Sequence, residues 1–66
     1  MFDPPKPTIA KFRVGQRVRV YGDPRVWVVK KREWSPGAFI GEWFYDLTAP
    51  GATMPWVVER DLAAAA

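Results

Sequence analysis

Cysteine and histidine are both absent from this 66-residue chain. Their absence removes disulfides, thiolate and imidazole metal sites, and any imidazole general base. Serine occurs once, at Ser35 in the turn-forming S-P-G, and no two acids stand at a defined catalytic spacing. Nothing therefore assembles a nucleophile with its base. No apolar run approaches the length of a membrane span, and the N-terminal M-F-D-P-P-K-P-T shows no charged segment followed by an apolar stretch. The expectation is a cytoplasmic protein that is not an enzyme and uses neither metal nor cofactor.

What the chain does have is aromatic surface. Four Trp, two Tyr and four Phe stand in 66 residues, a length that makes one domain and buries only roughly 60% of its unfolded surface. Large rings are a way for so short a chain to build a sufficient core. Charge is the second feature, because the net +3 is unevenly spread. From Lys11 to Arg32 eight basic residues face one acid, Asp23, whereas from Glu33 onward five acids face one base, Arg60. A basic first half suggests an anionic partner. The alternative is that strands from the two halves pair and cancel their charges on a solvated face.

The period of the sequence is two. In F-R-V-G-Q-R-V-R-V-Y, Val18 and Val20 point one way and Arg17, Arg19 and Tyr21 the other, as in a half-buried strand. G-D-P-R makes a turn, and R-V-W-V-V-K-K-R-E-W reads as a longer second strand. After S-P-G a third strand is expected over about 39–48, and after A-P-G-A-T a fourth over about 54–58. E-R-D-L suits a single tight helical turn that tucks Leu62 into the core. The expected core is Val18, Val20, Val28, Trp43, Tyr45, Leu47, Val58 and Leu62. Residues 1–10 read as a flexible Pro-rich tail, in which Pro4 and Pro7 match P-x-x-P, residues 11–62 as the folded domain, and residues 63–66 as a C-terminal tail.

The fold class that follows is all-β: a small antiparallel barrel of four to five strands with a short helical turn near the C-terminus. F-R-V-G-Q-R-V-R-V, a V-W-V-V strand, W-F-Y-D-L and W-V-V-E-R-D-L together resemble the Src-homology-3-like small barrels, especially the Tudor-like and KOW-like variants of bacteria and phages. The resemblance covers about residues 11–62 and implies a binding or adaptor module. The stand-alone size agrees with an origin in a phage or other mobile element. V-G-Q-R-V-R at 14–19 is also similar to the opening of the plasmid-borne dihydrofolate reductase that forms a tetramer of such barrels. That family carries V-Q-I-Y late in the chain, where M-P-W-V-V-E-R stands here, without the glutamine or the tyrosine. The reductase activity is therefore not expected.

Three binding chemistries fit these residues. Nucleic acid is the first, with Arg17, Arg19, Lys30, Lys31 and Arg32 neutralising phosphates and Tyr21, Trp27 or Trp34 offering stacking planes. A protein partner or a second copy of the chain is the second, with exposed aromatics as anchors and arginines at the rim. The third, implied by the Tudor-like resemblance, is an aromatic cage for a methylated cation with Glu42 or Asp46 beside it. Phe44 poses the sharpest question, since alternation sets it opposite Trp43, Tyr45 and Leu47, on the outward face between Glu42 and Asp46. It is covered by a hairpin tip or the N-terminal tail, belongs to an exposed patch, or sits at a bulge. Trp27 poses the same question, or its strand is covered on both sides.

Overall fold

The structure, a computed structural model, describes residues 7–37 and 41–65. Five strands form one antiparallel sheet: β1 (Arg17–Val20), β2 (Trp27–Ser35), β3 (Glu42–Ala49), β4 (Ala52–Val58) and β5 (Leu62–Ala64), with one 3₁₀ turn over Glu59–Asp61. The order across the sheet is β4-β3-β2-β1-β5. The first four strands form a meander, and the 3₁₀ turn carries the chain back so that β5 pairs with β1, Val18 opposite Ala64 and Val20 opposite Leu62. The all-β class expected from the period-two pattern is what the chain adopts.

Turn chemistry sets the connections. Pro50 and Gly51 form the two-residue tip between paired Ala49 and Ala52. The tip needs the positive φ of Gly51 (73°) after the φ that proline fixes. Between β1 and β2 the Asp23 N–H donates to the Val20 carbonyl at 3.0 Å. The Asp23 carboxylate then accepts from the Arg25 backbone N–H at 2.8 Å and from its guanidinium at 2.8 and 3.1 Å.

The core is Phe12, Val18, Trp27, Val29, Tyr45, Leu47, Val57 and Leu62, with Val20, Trp43, Ala49, Ala52 and Met54 packed around it. Two strand faces are the reverse of those expected. Val28 is exposed while Trp27 and Val29 are buried, and Val57 is buried in place of the half-buried Val58. The cause is a pair of bulges on either side of Asp46. Val29 is opposite Leu47 but Lys31 is opposite Asp46, so β2 carries one extra residue at Lys30. Tyr45 is opposite Val57 and Leu47 opposite Met54, so Pro55 and Trp56 on β4 share Asp46 as their neighbour. An extra residue inverts the faces on one side of it.

Both expected tails carry structure. The Trp43 indole N–H donates to the Thr8 carbonyl at 2.8 Å, and Phe12 is in the core, so the chain is docked from Thr8. Pro4 and the residues before Pro7 lie outside the described residues, as do 38–40, where the third strand was expected to begin. At the other end Ala63 and Ala64 are strand.

Candidate functional site

Side chains paired across the sheet share a face, and the registers place one row on the solvent side: Arg17, Val28, Thr48 and Thr53. Along β1 the same face continues to Arg19 and Tyr21, both exposed. The next row holds Lys30 and Lys31 at the β2 bulge, Asp46, and Trp56 at the β4 bulge. Beyond it come Glu33, Phe44 and Val58. Arg17, Arg19, Lys30 and Lys31 are all exposed, and among the described residues none of them makes an ion pair.

Arg32 does not join them. The bulge turns it to the side of Tyr45, its register partner, where its guanidinium donates to the Phe12 carbonyl at 2.9 Å and lies 5.7 Å from the centre of the Trp43 ring. It ties the N-terminal segment to the sheet. Of the expected phosphate-facing set, four residues share a face and the fifth is on the other.

The four expected aromatics divide similarly. Trp27 is 1% exposed and offers no plane to a partner; its ring is core, overlaid by the Arg25 guanidinium at 4.6 Å. Trp34 is half-buried and meets Trp43 edge-on at 5.6 Å between ring centres. Phe44 is half-buried beneath Trp56, at 4.8 Å and an interplanar angle of 66°. The cover is neither a hairpin tip nor the tail but the bulged residue of β4. Only Tyr21 of the four stands well out, 73% exposed.

Trp56 was missing from the expected set. It is 58% exposed and holds a φ of 54°, in the left-handed region that bulky side chains avoid. Its backbone N–H, which the bulge removes from the ladder, donates to the Asp46 carboxylate at 3.1 Å. Lys31, Arg32, Glu33, Phe44, Asp46 and Trp56 line one cleft, Arg32 although its guanidinium reaches the Phe12 carbonyl, and a second cleft, lined by Lys30, Thr53, Met54 and Pro55, shares Lys31 and Asp46 with it. The signal was legible in M-P-W, because a proline inside a strand marks an edge or a bulge.

On the opposite face a polar network closes one end of the core. The Tyr45 hydroxyl donates to the Glu59 carboxylate at 2.6 Å and accepts from the Phe12 N–H at 3.4 Å, while the same carboxylate accepts from the Lys11 N–H at 3.0 Å. Burial, then the bond to Glu59, pushes the Tyr45 phenol well above its ordinary value. In the first turn the Arg25 side chain, then its backbone N–H, holds Asp23 down at about 2. The buried Trp27 indole N–H, which makes no hydrogen bond of ordinary geometry, adds the smallest share of that lowering through a long contact with the carboxylate.

Glu42 is paired with Arg60, and Asp46 accepts from the Trp56 N–H beside the Phe44–Trp56 ring pair. Among the described residues no group of three or more acids is placed to hold a metal ion, and no helix is long and apolar enough to cross a membrane. Compared with family models, curated proteins and solved structures, the chain matches none.

Proposed function

We propose that the chain is a small non-catalytic binding module, of the Src-homology-3-like barrel type, that contacts nucleic acid in the cytoplasm through the solvent face of β1 and β2. The observation that carries this reading is the segregation of its cations. Arg25 and Arg60 are paired with acids and Arg32 is bonded to the Phe12 carbonyl, whereas Arg17, Arg19, Lys30 and Lys31 are exposed on one face without an ion pair among the described residues; Lys11 and Arg13, likewise exposed and without an ion pair, precede β1. Several unpaired cations on one strand surface suit a polyanion better than a single acidic group. The return of β5 to β1 after a 3₁₀ turn supports the barrel resemblance.

Titrating a labelled oligonucleotide against the protein over a range of salt concentrations tests the reading. Four neutralised phosphates on a single strand give a log-log slope of about −3, and Arg17→Gln or Lys31→Gln should each make it shallower by about one phosphate's worth. Absence of binding at about 100 μM protein in low salt overturns the reading, since that is weaker than many non-specific binders achieve.

A further inference from the structure

Trp56 is the one non-glycine residue with positive φ among the described residues. Backbone strain of this kind survives only where the surroundings over-determine it. Here Asp46 captures the displaced N–H, Pro55 precedes it at a place where no ladder N–H is needed, and the Phe44 ring supports the indole from below. The result is an indole on a residue 58% exposed, braced by Phe44 and in the same row as Lys31, two strands away across Asp46.

We infer that Trp56 is a stacking platform for one unpaired base, so that the module selects single-stranded over duplex nucleic acid. This rests on the nucleic-acid reading above and adds to it the class of nucleic acid and the residue that selects it. The faces of bases within a duplex are covered by their neighbours, while a base in a single strand can lie on an aromatic ring. Charge orients the strand. Lys31 and Asp46 line both clefts, with Glu33 at the Phe44 end and Lys30 at the Thr53 end, so phosphate is drawn to Lys30 and Lys31 and repelled from Glu33, backbone runs along β2, and a base turns across Asp46 onto Trp56. Because the ring is already held, little side-chain freedom is lost on binding.

The probes are a fluorescein-labelled 12-mer of dT and a labelled hairpin duplex of similar length, titrated at low salt. Trp56→Asn removes the platform with a residue that tolerates the left-handed conformation, and its circular dichroism and Tm report whether it is folded. It should weaken binding to the single strand by about 5- to 150-fold, the range one stacked base supplies, and leave duplex affinity unchanged. Trp56→Phe should retain most of the single-strand affinity. Tryptophan emission of the unaltered protein, quenched on saturation with the 12-mer, gives a readout that needs no variant. Equal affinity for the two probes with the salt slope intact, or unquenched emission, overturns the stacking inference and leaves the nucleic-acid reading standing. No binding to either probe overturns both.

Discussion

Tyr45 shows how much one atom can hold. Its ring is fully buried against Phe12 at 5.6 Å, and its hydroxyl joins the Phe12 N–H to the Glu59 carboxylate. Tyr45→Phe keeps the ring but leaves a buried N–H without an acceptor, at a cost of about 1–3 kcal/mol. For a domain this small that is a fall in Tm of at least about 4 °C, read by thermal denaturation; an unchanged Tm would mean that the bond contributes nothing. Gly41 acts by what it lacks. A Cβ there would overlap the ring of Trp34, so the Trp34–Trp43 edge contact depends on the missing methyl. Gly41→Ala should push Trp34 off Trp43, destabilise by about 1–3 kcal/mol as overpacking does, and shift tryptophan emission to the red. Emission and stability like those of the unaltered protein would show that the loop absorbs the methyl.

At the scale of elements, alternation made the strands legible but could not count residues across bulges. Strict alternation sets Val26 and Val28 opposite Trp27, and the expected core has Val28 on the inward side. The extra residue at Lys30 restores Trp27 and Val29 to the core, and V-W-V-V holds no polar residue that could show which face is which. In β3 no such slip occurs before Leu47, and there Tyr45 and Leu47 are buried as alternation requires. β5 was hidden for a different reason: an alanine run carries no strand preference of its own, and Ala63 and Ala64 are strand because β1 offers an edge. The cations of β1 and β2 were visible in the sequence, but the reversal of Arg32 and the exposure of Trp56 follow from the bulges alone. The β5 ladder can be tested by proline. The Tyr21 N–H donates to the Asp61 carbonyl and the Ala65 N–H to the Arg17 carbonyl, so the alternation of an antiparallel pair turns the Ala63 N–H toward Arg19 and the Ala64 N–H away. Ala63→Pro should lower the urea midpoint markedly, while Ala64→Pro should be nearly silent. Equal effects would mean that β5 is not held by this ladder.

The molecule as a whole has its pH response written at two ends. With no histidine and no cysteine, no side chain has its ordinary pKa between about 5 and 8, so folding gains no linkage there from the usual source. At the acid end Asp23 is held at about 2 by Arg25, below its ordinary 3.8. A depressed carboxyl contributes stability that is present above its unfolded pKa and is lost as pH falls from about 4 through 2. At the alkaline end the Tyr45 phenol is raised by burial and by Glu59. A raised group contributes stability that is complete below its unfolded value, about 10, and is lost as pH climbs beyond it. Tm should therefore be nearly level from about pH 5 to 9 and fall on both sides. Because each arm has its own residue, the two can be separated: Asp23→Asn should flatten the acid arm and leave the alkaline one, and Tyr45→Phe should do the reverse from a lower plateau. Differential scanning calorimetry of the three proteins across pH 2–11 decides it. An acid arm unchanged in Asp23→Asn would assign acid sensitivity to other carboxylates, and an alkaline arm unchanged in Tyr45→Phe would mean that the chain opens before the buried phenol titrates.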